Sequence, residues 1–484
     1  MGAIETAFFI AGGTSEKALR IGMVDCILYA LKSNTEIKVN RIMPRLKADD
    51  VKIAIANFEP TFSAEYTIQD KTEVAGNTLQ GADKFNSQDM NFNLSASGKL
   101  ITGTEYSLEY LNERYKSDSQ YQIYNPYYTA EPKITITQPL FKGAGIIVNA
   151  ADISIARNNK KQSDNSFKST VMSAISKTKA AFYAYIYSLE TYLIDKLAVE
   201  RVGDLLETDR AKYQKGQISS VALLETEASL ADKKKILFTS ESQVDKAEDE
   251  LKLITNLVDD PQLWNAKIEV LERPVFDPQH IKLLDCLKNA FDFRPDYHSA
   301  QLDLKNRDIK IVVAKNDLLP TLDLTGSFGV NGLGKDYESS LGKTNINYQD
   351  WGAGIKFSVP WGGADRAKFD QSKLEKVQAM LELKRLEQKI ILEVRDKVRK
   401  VNLQEKQVGV TKISKEKEEE NYRAQKERYL AGKISTHDIL DYQDKLSRAQ
   451  LDYMRALIDY QLALTELDET EGLTLLRNNI KLEE

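Results

Sequence analysis

The sequence predicts a mainly α protein of very long, paired helices, combined with strands that belong in a membrane β-barrel closed by several chains. Three observations predict it. The same ordered parts occur twice along the chain. Each half holds a very long stretch free of Pro and nearly free of Gly. Between the helical stretches, the apolar period changes from helical to two.

The duplication is read residue by residue. The segment from Asp25-Cys26 to Thr61 is matched, without a gap, by the segment from Asp285-Cys286 to Thr321. Tyr213-Gln-Lys-Gly216-Gln-Ile-Ser219 reappears as Tyr429-Leu-Ala-Gly432-Lys-Ile-Ser435, and Gln138-Pro139-Leu-Phe-Lys-Gly143 is echoed by Val359-Pro360-Trp-Gly-Gly363. Each half reads helix, Pro-Thr, strands, Pro-Gly joint, long helix, Gly turn, helix. Such a unit is too long for a solenoid repeat and reads as a duplicated architectural half. The expected organisation is an N-terminal extension (1–23), a first repeat (24–260), an equatorial linker (261–280), a second repeat (281–472) and a C-terminal tail (473–484). Strands are expected at about 60–138 and 320–360, and helical hairpins at about 145–257 and 364–470.

The helices come as matched legs. Residues 145–212 suggest one helix of about 100 Å, and residues 364–430 a second of nearly equal length. Helices this long must pair along their length. The return leg of the first half combines Ser219–Leu257 with Ile281–Asn316. In the second half, Ser435–Thr470 is too short alone, and the N-terminal helix at about Val24–Asn57 supplies the missing piece, bringing each leg to roughly 105–110 Å. Leu446, Tyr453, Tyr460 and Leu467 lie seven apart with Ala449, Ala456 and Ala463 between them, a seam for close antiparallel pairing. Shifted into the first half, it becomes Leu230, Leu237, Val244 and Leu251, with Ser240 and Ala247 in the small positions.

The strand segments alternate cleanly. Phe62, Ala64, Tyr66 and Ile68 are interleaved with Ser63, Glu65, Thr67 and Gln69; Ile134–Ile136, Leu322–Phe328 and Ile355–Val359 behave alike. A one-faced soluble sheet and a lipid-facing barrel with a wet lumen both fit that pattern. The tyrosines between Tyr106 and Tyr128, with Trp351 and Trp361 bracketing the last strand, favour the barrel, since such residues form interfacial girdles. Few strands per half means that one chain cannot close a barrel, and lipid does not tolerate open edges.

Bulk properties exclude several functions. The net charge of −5 argues against a nucleic-acid partner. His280, His298 and His437 lack metal spacing, Gly143-Ala-Gly145 reads as a strand-to-helix joint rather than a phosphate loop, and no catalytic arrangement is found. No enzyme activity, cofactor or metal is expected. The two cysteines read as buried thiols, with pairing left open. The first ten residues lack a basic region and apolar core, so no signal peptide is visible.

With these parts in place, residues 20–472 resemble the TolC family of outer-membrane channels. The resemblance rests on the duplicated layout, the two Pro-Gly joints and the two Tyr-x-x-Gly turns. It implies a homotrimer in the Gram-negative outer membrane, extending into the periplasm. Each chain would give four strands to a twelve-stranded barrel, and the helices would form an α-barrel tunnel. A periplasmic adaptor and an inner-membrane pump would complete a tripartite efflux or type I secretion path, with the lipid bilayer as the remaining partner. Pro139, Gly143, Pro360 and Gly363 would form the strand-to-helix swivel. Gly216, Ser219, Gly432 and Ser435 would form the helix-tip turns that meet the adaptor. Asp438 and Asp441 would line a periplasmic aperture, although Ser435 and Asp438 also spell a capping box. The first turn departs from this, with Ala222 in place of an acid and Glu225 in the second position. Ile434 stands where a basic latch residue occurs in some members. Phe92–Ala96 and Tyr106–Tyr110 also alternate, as an elongated strand, a broken strand or an added hairpin. The competing reading is a periplasmic coiled-coil adaptor or structural protein without its own pore.

Overall fold

A computed structural model describes residues 18–74, 84–119, 121–359 and 361–482. The chain opens with β1 (Ala18–Ile21), α1 (Met23–Ser33), α2 (Thr35–Asn40) and α3 (Ile42–Ala56), followed by β2 (Thr61–Val74), β3 (Lys84–Lys99), β4 (Glu105–Ser117) and β5 (Tyr127–Pro139). The first hairpin consists of α4 (Ile146–Asn149), α5 (Ala151–Gln214) and α6 (Ser220–Ile254), and α7 (Pro261–Trp264) and β6 (Lys267–Val270) follow it. The second half holds α8 (Leu283–Phe293), α9 (Pro295–Asp317), β7 (Thr321–Val330), β8 (Gly332–Gly334), α10 (Tyr337–Gly342) and β9 (Gln349–Ser358). It ends with α11 (Ala364–Leu430), α12 (Thr436–Glu471) and α13 (Thr474–Arg477).

The helix expected over 24–57 is interrupted. Asn34 leaves helical geometry and caps α2, its Oδ1 accepting from Ile37 N at 3.2 Å. The helix expected over 281–316 is interrupted at the equivalent position, Arg294, because Pro295 follows and disfavours helical backbone before it. Proline then sits at the first position of α9, where its missing N–H costs nothing. The same break occurs in both repeats by different chemistry.

One compact unit is helical and draws on residues 1–43, 164–299 and 384–484. Its core includes Ile390, Val394, Val401, Tyr460, Ala463 and Leu467 packed with Cys286 and Ala290; a second cluster joins Cys26, Phe182, Tyr185, Leu251 and Ile458. The α12 seam is buried at Leu446, Ala449, Ala456, Tyr460, Ala463 and Leu467. Its counterpart on α6 is buried only at Ser240 and Leu251 among the seam positions, and Phe238 remains 67% exposed. Both cysteines are buried, unpaired thiols, each pushed up to about 12 by burial. A feature that the sequence reading did not anticipate is a two-stranded parallel pairing of β1 with β6, held also by Tyr185, whose hydroxyl donates to the Ile268 carbonyl at 2.7 Å.

The other unit, residues 44–163 and 300–383, carries the main sheet. Its strands run β2-β3-β4-β5-β7-β9, every neighbour antiparallel, with β8 paired to β5. Thus Phe92–Ala96 and Tyr106–Tyr110 lie on separate strands, and the ambiguous segment is an added hairpin. Among the described residues, six long strands take the place of the four that the resemblance implied. Register carries one side-chain row, Phe62, Ala96, Leu108, Ile134, Phe328 and Trp351, across the whole sheet on one face. The adjacent row, Ser63, Ser95, Glu109, Lys133, Gly329 and Asp350, crosses on the other. In the same unit α5 meets α9 through Asn158 and Asn159, both hydrogen-bonded to Asn306, and α9 meets α11 through Arg307–Glu375 and Lys376–Asp308 ion pairs.

Candidate conduit and gate

The sheet and the helix tips are the two places where sequence and geometry concentrate function. On the sheet, the apolar face is bare: Phe62 is 78% exposed, Trp351 69% and Ile355 74%. The opposite face is lined by hydroxyl, amide and charged groups, cross-linked in places such as Ser63 Oγ to Ser95 Oγ at 2.6 Å. The apolar face is a band beside the helical joints, and farther along the same face it gives way to Asp70, Gln88, Asn112 and Arg114. An apolar band backed by a polar face has the pattern of a strand layer between lipid and water. β2 and β9 are the two edges, and along both every residue is exposed.

The joints below the sheet are tightly wired. β5 ends at Pro139, and Gly143 and Gly145 take φ of +80° and +98°, left-handed geometry that favours glycine. Gly143 N donates to Asn316 Oδ1 at 2.8 Å, and Asn149 Nδ2 donates to the Gly143 carbonyl at 2.8 Å. The Lys142 ammonium lies 3.8 Å from Asp317 and 3.4 Å from Asp365, tying the first-half joint to residues of the second half. The turn between β3 and β4 docks here too, since Gly145 N donates to the Thr102 carbonyl at 3.0 Å. Gly103 has φ of +95°, and a Cβ on it would overlap the Gly143 carbonyl oxygen. In the second half the Gly363 carbonyl accepts from Ala367 N at 2.9 Å and opens α11. Pro360 lies outside the described residues.

The two tip turns have the same backbone. Gly216 and Gly432 adopt φ of +69° and +71°, and their N–H groups donate to the carbonyls of Tyr213 and Tyr429 at 2.8 and 3.0 Å. Gln217 N and Lys433 N reach back to Lys212 and Arg428 carbonyls, each at 2.9 Å, which completes a Schellman motif at the end of α5 and of α11. Ser219 then caps α6, accepting from Ala222 N at 3.2 Å. Ser435 caps α12 with a reciprocal box: Asp438 N donates to Ser435 Oγ at 3.2 Å, and Ser435 N donates to Asp438 Oδ2 at 3.0 Å. Asp438 therefore caps the helix and is held below the usual carboxylate range by its Ser435 hydrogen bonds. Asp441 is paired with Lys445 at 2.7 Å, and both aspartates are exposed.

Glu225 belongs to a pair that the sequence reading missed. His437, exposed beside the turn, places Nδ1 2.7 Å from Glu225 Oε1, joining the start of α12 to the start of α6. The hydrogen bond and charge of Glu225 raise the His437 pKa, helped by the charges of Asp438 and Asp441. Behind it lies a buried polar knot, also missed. The Asp209 carboxyl accepts from Thr226 Oγ1 at 2.6 Å and from the Tyr429 hydroxyl, which also lies 3.3 Å from Thr436 Oγ1. Burial, then the Asp209 hydrogen bond, pushes the Tyr429 phenol up, keeping it a donor. Lys212 donates to the Tyr429 carbonyl at 2.9 Å with its ammonium 3.7 Å from the ring centroid. Ile434, half-buried, packs beside Leu205, Tyr429 and Ile439. The signal that could have revealed the knot is Asp209 itself, a carboxylate on the apolar face shared with Leu205 and Leu206.

An antiparallel sheet with a lipid-type face, carried by a duplicated frame of long helical hairpins, defines the class as an outer-membrane channel component. The comparisons fix the family: the chain belongs to the outer membrane efflux proteins, whose family pattern matches residues 27–257 and 286–472. It is 28% identical over 169 residues to Nodulation protein T of Rhizobium leguminosarum biovar trifolii, covering 34% of this chain and 35% of that one. It is 22% identical over 329 residues to outer membrane protein TolC of Escherichia coli, covering 64% and 65% of the two chains. The matches thus span about a third and just under two thirds of these relatives' own lengths. The fold resembles the Campylobacter jejuni CmeC outer membrane channel, with a TM-score of 0.66, 18% identity and coverage of 93% of this chain and 86% of that one.

Proposed function

We propose that the protein is a homotrimeric channel-tunnel of the Gram-negative outer membrane and the passive exit duct of a tripartite efflux or type I secretion system. The observation that carries this reading is the sheet, whose exposed apolar band crosses all its strands and whose two bare edges call for lipid on one side and further copies at the ends. A soluble adaptor would leave that apolar face in water. The periplasmic aperture lies at the Gly216 and Gly432 turns, which would also meet the adaptor of an inner-membrane pump, and Pro139, Gly143 and Gly363 form the swivel beside the sheet. Gating is a rearrangement of the tips. The knot of Asp209, Thr226, Tyr429 and Thr436, with the His437–Glu225 and Lys233–Asp444 pairs, clasps one hairpin to the other. Opening breaks these contacts.

The test is conductance of purified, detergent-extracted protein in a planar bilayer. Discrete cation-preferring channels are expected, and the absence of channels refutes the duct. Replacing both Asp438 and Asp441 with Asn, which keeps a capping acceptor, is expected to relieve block by multivalent cations added on the tip side. Unchanged block removes these residues from the aperture.

A further inference from the structure

The sheet has a consequence for girth. A chain with four barrel strands closes a twelve-stranded ring in a trimer, but this chain has six long strands in one unbroken ladder. The added pair is built in at full length. β3 is matched to β2 at every residue from Thr61 to Val74, and β4 to β5 from Glu105 to Tyr115. Its lower turn is fastened to the strand-to-helix joint through the Thr102 carbonyl and Gly103. Its outward residues, Phe92, Leu94 and Leu108, continue the apolar face.

We propose that three copies of this chain close an eighteen-stranded barrel, each β9 pairing with β2 of the next copy; the proposal rests on the channel reading above. Polarity allows it, because β2 leaves the helical end of the sheet and β9 returns to it. Register gives the geometry. Straight across the sheet from Thr61 lies Gly352, whereas the helix-proximal end of β9 is Ser358, six residues further on. Thr61 and Ser358 both sit on the polar face, so bringing the two ends to one height keeps every side chain on its proper side. Each copy then contributes a shear of about six and the ring about eighteen, which for eighteen strands gives a tilt of about 35°, at the lower bound of the usual range. At ~4.8 Å between strands this barrel is ~34 Å across from backbone to backbone, against ~23 Å for twelve strands at the same tilt. The membrane pore is then about half again as wide as a twelve-stranded one, and selection by size falls to the helix tips.

The test measures the ring directly. Lys356, exposed on the polar face of β9, is replaced by Cys and spin-labelled in the full-length protein reconstituted in lipid; Cys26 and Cys286 are buried and do not compete. Equivalent Cα atoms in a three-fold ring lie ~29 Å apart for eighteen strands and ~20 Å for twelve; labels reaching into the lumen shorten both distances by the same amount, so the two rings stay ~10 Å apart in the readout. Glu65→Cys on β2 provides an independent second site should the first variant not assemble. A trimer with the shorter distance at either site overturns the eighteen-stranded barrel and leaves the channel reading standing. Protein that inserts in lipid without forming trimers, or does not insert, overturns the channel reading and the barrel with it.

Discussion

Tyr429→Phe is the sharpest probe of the proposed gate. The phenol is buried, its residue only 3% exposed, and its hydroxyl donates to Asp209 across the two hairpins. Phenylalanine keeps the ring between Leu205 and Ile439, so packing changes little. What is lost is the hydrogen bond to Asp209 together with the 3.3 Å contact to Thr436 Oγ1, and the Asp209 carboxyl, wholly buried, is left with Thr226 alone. A buried acceptor stripped of one partner costs about 1–3 kcal/mol. If that cost falls on the closed arrangement only, the closed-to-open ratio drops between about 5-fold and 150-fold, at 1.4 kcal/mol per tenfold. The assay is single-channel recording at fixed salt and pH, scoring open probability rather than unit conductance, with thermal unfolding measured in parallel. The expected result is a large rise in open probability with unit conductance unchanged once open. An unchanged open probability, with the melting temperature lowered, would show that the knot holds the fold and not the gate.

Two further outcomes follow from the structure. His437 has its pKa raised above 6.5 by Glu225, so its pairing is fully present below about pH 6.5 and is lost as pH rises through the folded value. Open probability is expected to climb across that window in the wild type and to be flat in His437→Gln; a wild-type profile that is flat, or falls with pH, rejects the clasp. Gly103→Ala would force a side chain onto a residue at φ +95° and against the Gly143 carbonyl, a strain of about 1–3 kcal/mol. Its trimer should dissociate in detergent at a lower temperature than the wild type, whereas Gly409→Ala, with open space around the site, should not.

Much of the frame was legible because helices and strands print their period on the sequence. The second long helix was expected over 364–430 and is Ala364–Leu430. The seam from Leu446 to Leu467 is buried as its heptad spacing implies, apart from a half-buried Tyr453. What escaped notice were features made by pairing distant residues. β1 and β6 are four residues each, too short to show a period, and exist because they meet. Asp209, Thr226 and Tyr429 are ordinary on their own helices and form a site only where the hairpins close. Alternation announced Phe92–Ala96 and Tyr106–Tyr110 as extended, but whether two runs belong to one bent strand or two paired ones is a matter of register. Only the ladder from Ser87↔Ser117 to Lys99↔Glu105 decides it.

The turn at Leu100–Thr104, with Gly103 seated against the Gly143 carbonyl, has an evolutionary consequence. A single strand cannot be inserted into such a sheet, because it would return the chain at the wrong end and leave two parallel neighbours at the seam between copies. A hairpin can, and its turn falls where the joint already offers donors and acceptors. If three copies close the ring as proposed, each such insertion would change its girth by six strands. The gain of one hairpin would then alter the calibre of the proposed assembly and leave the edge strands β2 and β9 as they are.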